Sequence, residues 1–446
     1  MIYLLPSLML LMLMMGILSG YPVALLLGGL AIVFTFVGDL PLAGFGLIVS
    51  RIYGGVLSNW ILAAIPLFVF MGIMLDKSDI AKKILQELEA LFAGKSGGLA
   101  LSVIVIGIVM AASTGIVGAS VVLMGTLALP VMLKQGYDKS LAMGTILGSG
   151  TLGILIPPSI MLVVFGDILQ VSIGGLFAAA LIPGAMLGLL YALYVIITAI
   201  VSPEKAPARR GEETAGLVPL LLRLATNLVI PALLITSVLG SIITGVATPT
   251  EGAAIGAAGA LLLTLLSGKL SWSVLSGACK ETTLTTGMIL FLSIGATAYG
   301  VVFSRLGGSD MIYALVGLLG GEPYVILMGA MLLIFVLGFF LEWIEISFLV
   351  LPLLAPVIGQ LDFAPAIDSS HDVLIWFAVL VAVNLQTSFL TPPFGYALFY
   401  LKGIAPKGIS TVDIYRSVKP FVLIQLAGLV LIILFPAIAL WLPGIL

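Results

Sequence analysis

Two proline pairs decide how this chain folds: TLGILIPPS at residues 151–159 and TSFLTPPFG at residues 387–395. Each pair interrupts a long apolar segment, and hydroxyl-bearing side chains precede it. Proline removes a backbone donor and clashes with the preceding turn, so each pair predicts an unwound stretch within a helix. Polar backbone inside a membrane must be buried in protein or line a cavity. The pairs therefore predict two broken helices with a shared site, whereas simple kinks are the alternative.

The composition predicts an integral membrane protein. Of 446 residues, 61% are hydrophobic and only 9% are charged, whereas soluble domains carry about 25% charged residues. The apolar stretches are near the roughly 20 residues of a membrane-spanning helix, and they lack the alternation of a β-barrel. We therefore expect an all-α fold, embedded in a lipid bilayer.

The charged and metal-binding residues exclude several classes of function. Eighteen basic and twenty acidic residues give a formal charge of −2, with no basic tract that would predict nucleic-acid binding. One cysteine, Cys279, and one histidine, His371, are too few for a His/Cys metal centre or a haem. We expect no organic cofactor and no enzymatic activity.

The basic residues orient the spans through the positive-inside bias. Sixteen of the eighteen fall into five loop clusters, which leaves Arg51 and Arg305 on the other side. The clusters contain Lys77, Lys82, Lys83 and Lys95; Lys134 and Lys139; Lys205, Arg209, Arg210 and Arg223; Lys269 and Lys280; and Lys402, Lys407, Arg416 and Lys419. With these clusters in the cytoplasm, the number of spans predicts that both termini are periplasmic.

An internal repeat with inverted topology is predicted on either side of the polar loop 202–213. The first repeat, 1–225, contains scaffold helices, a re-entrant hairpin at 97–133 and a broken helix at 141–165. The second, 226–446, contains scaffold helices, a hairpin at 324–360 and a broken helix at 373–400. In each, an apolar Pro-Val motif, LALPVM at 127–132 or LLAPVI at 353–358, precedes the broken helix.

Each break with its facing hairpin tip predicts a sodium site, because unwound carbonyls and hydroxyls are ligands that hard cations prefer. Such hydroxyls can also simply bond back to their own helix. The first predicted site comprises Ser113, Thr114, Gly115, Gly118, Gly148, Ser149 and Thr151. The second comprises Glu342, Ser347, Gln386, Thr387 and Thr391.

The substrate is expected between the two breaks, in contact with one acidic residue. The predicted substrate residues are Pro157, Pro158, Ser159, Glu345, Pro392, Pro393, Gly395 and Tyr396. A carboxylate within a membrane is costly and by default a functional hypothesis. Glu342 and Glu345 could bind a cation, a proton or substrate. Alternatively, they lie on a solvated rim or pair with Arg305.

Several motifs resemble the large membrane subunit of tripartite ATP-independent periplasmic (TRAP) transporters. The resemblance covers nearly the whole chain. It rests on GTLGILIPPS (150–159), LIPG (181–184), ATPTEGAAIGA (247–257) and NLQTSFLTPPFG (384–395), and on Asn59-Trp60 followed by AIPLF at 64–68. The acidic sequence FLEWIE at 340–345 and the polar run at 386–388 depart from the usual pattern. Both resemble the subgroup named for mannitol or chloroaromatic compounds.

The resemblance implies a sodium-driven importer in the bacterial inner membrane that works by an elevator movement. It also implies a small four-helix membrane subunit, a periplasmic substrate-binding protein, and sodium sites at the hairpin tips and broken helices. A stand-alone sodium-coupled carboxylate carrier of similar fold is the alternative. The expected cargo is a small organic acid or a related polar solute.

The topology can be tested with single cysteines in a Cys279→Ser background. We expect Asp368→Cys to react with a membrane-impermeant maleimide in intact cells, since loop 361–372 has no lysine or arginine. Glu204→Cys should react only after the membrane is permeabilised. Labelling of Glu204→Cys in intact cells would contradict the predicted orientation.

Overall fold

The computed structural model describes residues 3–41, 43–92, 94–114, 117–208, 217–317 and 320–446. This part of the chain forms 21 α-helices, with one isolated β-bridge between Phe363 and Ile367. Six of these helices are long and apolar enough to cross a membrane, or seven if one bent pair is counted as a span. The prediction of an all-α membrane protein is confirmed.

The helices of the first half end in a long span. They are α1 Leu4–Leu18, α2 Val23–Val37, α3 Ala43–Ile52, α4 Ala64–Lys77, α5 Ile80–Leu91, α6 Gly98–Thr114, α7 Val117–Lys134, α8 Lys139–Thr151, α9 Ile160–Leu169 and α10 Ile173–Val201.

The second half of the chain contains the remaining helices. They are α11 Leu217–Ile243, α12 Pro249–Leu266, α13 Trp272–Arg305, α14 Gly308–Gly317, α15 Pro323–Leu337, α16 Trp343–Leu349, α17 Leu351–Ile358, α18 Ser370–Leu390, α19 Tyr396–Ile404, α20 Thr411–Leu434 and α21 Ala437–Leu440.

A hairpin, a broken helix and a long helix therefore follow one another twice. The first set is α6 and α7, then α8 and α9, then α10, whereas the second is α15 to α17, then α18 and α19, then α20. Both breaks fall at the proline pairs, since α8 ends at Thr151 and α9 begins at Ile160, whereas α18 ends at Leu390 and α19 begins at Tyr396. The repeat boundaries themselves stay a prediction.

The two sets interlock through their half-helices. Helix α9 of the first set packs against α16 and α17, and α19 of the second set packs against α7. Each broken helix thus supports the hairpin of the other set. The first break lies inside the protein, where residues 151–160 are buried throughout, whereas Pro393 and Phe394 of the second break are exposed.

A bend precedes α4, and α13 is the longest helix of the described residues. Residues before Asn59 form α3 and a π-helical turn, Tyr53–Leu57, and this segment meets the following helix at a bend of 49°. Helix α13 has 34 residues, and Ser271 caps it by accepting a hydrogen bond from the Val274 N–H at 3.2 Å. Helix α5 buries Ile84, Leu85 and Leu88 on one face.

Hydrogen bonds group the loops that carry the basic clusters. The Lys269 ammonium and the Asp79 carboxylate are 2.6 Å apart, and the Asp138 N–H donates to the Lys205 carbonyl at 2.9 Å. The hydrogen bond to Lys269 lowers the pKa of the Asp79 carboxyl. At the predicted opposite end, Thr250 donates to the Trp60 carbonyl at 3.0 Å. The first two contacts join loops on the predicted cytoplasmic side, and the third lies on the predicted opposite side. Which side is cytoplasmic stays a prediction.

Close contact between α8 and α20 requires a glycine. A methyl group on Gly144 would lie 2.3 Å from the carbonyl oxygen of Ser417, and that backbone has no freedom to retreat. Gly287 lies in α13 with no atom within 4 Å of the same added methyl group.

We expect Gly144→Ala to lower the free energy of unfolding by about 1–3 kcal/mol through this clash. Gly287→Ala should raise stability by up to about 1 kcal/mol, because alanine has the higher helix propensity. Melting temperatures of the purified proteins in detergent measure both effects. Equal melting temperatures would show that α8 and α20 are not this closely packed.

Candidate functional site

A cavity of about 280 Å³ lies where the two hairpin tips, the two broken helices and α13 meet. Its described lining residues are Val117 and Gly118 from α7, Ile160 from α9, Thr285, Met288 and Ile289 from α13, Glu342, Trp343 and Ile344 at the start of α16, and Phe389, Tyr396 and Tyr400 from the second broken helix. We refer to it as the central cavity.

Glu342 is the charged residue that lines the central cavity. It caps α16, because its side chain accepts a hydrogen bond from the Glu345 N–H. The Glu345 carboxylate in turn accepts one from the Glu342 N–H at 3.0 Å. This reciprocal capping box stabilises the sharp turn at the hairpin tip. Within the described part of the chain, neither carboxylate pairs with a lysine or arginine, Arg305 included.

Aromatic rings form one wall of the central cavity. The Tyr400 hydroxyl donates to the Tyr396 hydroxyl at 2.7 Å, and their ring centroids are 4.9 Å apart. Phe389 and Tyr396 have centroids 6.1 Å apart. A methyl group on Gly118 would lie 2.7 Å from the Tyr400 ring, so the first hairpin tip rests on this wall.

Both half-helices that follow the breaks begin at the central cavity. Ile160 is the first residue of α9, and Tyr396 is the first residue of α19. The N–H groups of a first helical turn lack partners within the helix, and the dipole places partial positive charge there. Two helices of 10 and 9 residues thus present anion-attracting ends.

The two broken helices cross at equivalent positions. Thr151 and Gln386 each lie six residues before the first proline of their pair. Thr151 is followed by a 3-10 turn, Leu152–Ile154, so the Leu155 N–H donates to Leu152 rather than to Thr151. The Gln386 side-chain amide donates to the Thr151 carbonyl at 2.8 Å. Gln386 thereby adds a hydrogen bond between the two repeats at the end of α8.

Unpaired acceptors surround this crossing. Gln425 of α20 donates to the Thr151 hydroxyl at 3.3 Å. The Oε1 atoms of Gln386 and Gln425 are buried without a hydrogen-bond partner, and the Tyr191 hydroxyl lies against Gln425 and Thr151. Buried polar atoms are normally satisfied, so such a group of oxygens is typical of a site that holds water or an ion.

The predicted first sodium site is brought together only in part. Ser149 donates to the Thr145 carbonyl at 2.5 Å, and Thr151 donates to the Gly148 carbonyl at 2.9 Å. The Ser149 side chain also contacts Gly107 of the hairpin. Gly118 instead lines the central cavity. Ser113 and Thr114 end α6, but their side chains and all of Gly115 lie outside the described residues.

The predicted second site is more dispersed. Thr387 donates to Val383 at 3.0 Å, Thr391 donates to Thr387 at 2.7 Å, and Ser347 donates to Trp343. Gln386 faces the first broken helix rather than the second hairpin. Two neighbouring residues of α18 contact that hairpin: Asn384 donates to the Met331 carbonyl at 2.7 Å, and the unpaired Ser388 hydroxyl would lie 2.1 Å from a methyl group on Gly338.

Among the predicted substrate residues, Tyr396 lines the central cavity. Pro157 and Pro158 are buried, and Ser159 donates to the Ile154 carbonyl at 2.6 Å. Pro392 is half-buried, whereas Pro393 is exposed and its carbonyl accepts from Tyr415 at 2.7 Å. Gly395 donates its N–H to Thr391, and Glu345 serves the capping box. Apart from Tyr396 and Glu345, the predicted substrate residues lie within the two breaks and are not among the described residues that line the cavity.

Sequence reasoning missed the contribution of α13. Thr285, Met288 and Ile289 line the central cavity, although their apolar helix was predicted as scaffold. It also missed Asp167 at the end of α9, whose carboxylate accepts from the Asn59 amide at 2.7 Å. An acidic residue at the end of an apolar helix was the only available signal for Asp167.

Comparison with known proteins agrees with this architecture. The family described as "Tripartite ATP-independent periplasmic transporter, DctM component" matches residues 8–438. The chain belongs to this family. The predicted resemblance is therefore confirmed, whereas membership of the mannitol or chloroaromatic subgroup stays a prediction.

Individual relatives are similar over most of their length. The C4-dicarboxylate TRAP transporter large permease protein DctM of Pseudomonas aeruginosa is 28% identical over 86% of this chain and 87% of that protein. The ectoine TRAP transporter large permease protein TeaC of Halomonas elongata is 28% identical over 96% of each. Both are named as transporter permeases, not as enzymes.

The fold is similar to that of the Alcanivorax borkumensis YdaH transporter, whose crystal structure is described as having an unusual topology. The TM-score is 0.63 with 13% identity, over 94% of this chain and 96% of the other. The chain is thus a multi-pass membrane protein and a secondary-transporter permease subunit of the TRAP type.

The hydrogen bond between Gln386 and Thr151 can be tested through its effect on stability. Gln386→Leu leaves the buried Thr151 carbonyl without its side-chain donor, and we expect a loss of about 1–3 kcal/mol. Gln360→Leu changes an exposed glutamine and is the matched control. Thermal unfolding in detergent measures both, and equal effects would show that the crossing bond does not stabilise the breaks.

Proposed function

We propose that this chain is the large permease subunit of a sodium-coupled importer that carries a small organic acid or a related polar solute by an elevator movement. The central cavity carries the proposal. It is formed jointly by two hairpin tips and two broken helices, and it borders α13. Such a cavity at the meeting point of two repeats is typical of a substrate site in secondary transporters.

Sodium is the proposed coupling ion. The first site is proposed around Thr151 and the second near Thr387 and Ser388. Support comes from the unpaired buried oxygens of Gln386, Gln425 and Ser388, which are of the type that hard cations prefer. The back-bonded hydroxyls of Thr151 and Thr387 retain lone pairs that could also face a cation.

The acid group of the cargo is proposed to face the first turns of α9 and α19. No lysine, arginine or histidine is among the described residues that line the central cavity. An anionic group there would depend on helix N–H groups and bound sodium. The printed names of the relatives differ in substrate, a C4-dicarboxylate in one and ectoine in the other, so they support a carrier class but no single compound.

An elevator movement along α13 is supported by a second cavity of about 300 Å³. Ser293, Ala296, Thr297 and Gly300 line it and continue the helical face that Thr285 and Ile289 present to the central cavity. The opposite wall includes Asp167 at the end of α9. Because these α13 residues are small, the hairpins and broken helices could slide along this face.

The partners are proposed from the family description. "Tripartite" implies two further components, which we propose are a small four-helix membrane subunit and a periplasmic substrate-binding protein. The location is proposed as the bacterial inner membrane. A stand-alone carrier is the competing proposal, and purification of the chain in a complex would decide between them.

Sodium binding can be measured without knowing the cargo. At constant ionic strength, replacing choline chloride by sodium chloride should raise the melting temperature of the purified chain. Thr151→Ala and Thr387→Ala should each shift the half-effective sodium concentration about tenfold upward, equivalent to about 1.4 kcal/mol. Thr198→Ala removes a similar back-bonded hydroxyl in α10 and should have no such effect.

If Thr151→Ala and Thr387→Ala respond to sodium as the unaltered chain does, these two residues are not ligands. If the unaltered chain itself shows no response to sodium, the proposed coupling ion is wrong.

Cross-linking tests the movement. In a Cys279→Ser background, Ile160→Cys with Ile289→Cys should cross-link, since both residues line the central cavity. Sliding of α9 along α13 should also allow Ile160→Cys to cross-link with Thr297→Cys, two turns further along. A hinge movement without sliding predicts only the first cross-link.

A further inference from the structure

The central cavity contains one carboxylate, that of Glu342, and no lysine, arginine or histidine is among the described residues that surround it. Glu342 and Thr285 are its clearly polar contributors, together with the hydroxyls of Tyr396 and Tyr400. Val117, Ile160, Met288, Ile289 and Ile344 supply apolar surface. A charge in such a site is costly unless an opposite charge or hydrogen-bond donors face it.

Four aromatic residues surround the same space. Trp343 directly follows Glu342, and Phe389, Tyr396 and Tyr400 form the wall on which the first hairpin tip rests. Cations are attracted to aromatic faces, and a group of such rings is a recurrent recognition site for ammonium groups. The combination of a carboxylate with four rings is complementary to a positively charged nitrogen on an apolar body.

We propose that the transported solute carries a protonated amine, that this amine binds between Glu342 and the rings of Trp343, Tyr396 and Tyr400, and that the net charge of the solute is zero or positive. This deepens the proposed function and rests on it, because it assigns the substrate class of the same cavity. A zwitterion is complementary to both parts of the cavity, because its amine would face Glu342 and its acid group would face the first turns of α9 and α19. A dianion would place unpaired negative charge beside Glu342.

Four probes with one phenyl body separate the charge states: phenylalanine, 2-phenylethylamine, 3-phenylpropionate and 3-phenylpropan-1-ol. Their dissociation constants are measured by calorimetric titration of the purified full-length chain in saturating sodium chloride. We expect phenylalanine and 2-phenylethylamine to bind at least tenfold more tightly than the other two probes.

Three variants locate the interaction. Glu342→Gln keeps an acceptor for the capping box and should remove the preference for the amines. Glu345→Gln removes the same charge three residues away, outside the cavity lining, and should retain that preference. Trp343→Leu should weaken binding of the amines more than binding of the alcohol, which carries no charge for the ring to attract.

The proposal is overturned if 3-phenylpropionate binds most tightly, as expected if sodium neutralises Glu342 instead. It is also overturned if no probe binds, or if Glu342→Gln leaves the order of affinities unchanged. The sodium response of the melting temperature separates these results from failure of the proposed function. A normal response means that only the substrate class is wrong, whereas its absence shows that the proposed sodium coupling is wrong as well.

Discussion

Every broken helix in a membrane protein must find partners for the backbone groups that its break releases. In this chain the requirement is met at the crossing of the two repeats, where Gln386 donates to the Thr151 carbonyl. The bond can form only if the two breaks lie side by side in the interior. It therefore couples the position of one half of the chain to the position of the other.

The interlocked hairpins follow from the same requirement. Helix α9 packs against the second hairpin and α19 packs against the first, so the first break is enclosed by protein and the second is covered on the side of the first hairpin. The half-helices then begin at a common point, and their amide ends face the cavity that the hairpin tips leave open. The same enclosure creates a low-dielectric site, in which charges and dipoles interact strongly.

Glu342 has a structural and an electrostatic role at this point. As half of a capping box it stabilises the turn of the second hairpin, and as a lining residue it gives the central cavity a negative group among aromatic rings. One side chain thus links the shape of the hairpin tip to the charge that a solute meets. The sequence favoured Glu345 equally, but Glu345 takes part only in the capping box and is not among the residues that line the central cavity.

The sequence alone determined the membrane class, the two broken helices, the two hairpins and the family, because apolar length and paired prolines are local signals. Composition likewise identified the hydroxyl-rich segments before each break. Only the tertiary structure decided which residues face the cavity. Gln386 and Thr151 were predicted in separate sites, but they meet at the crossing. Thr285, Ile289 and Tyr400 were not predicted, but they line the central cavity. A hydroxyl's partner depends on how helices distant in sequence pack, and neither periodicity nor spacing carries that information.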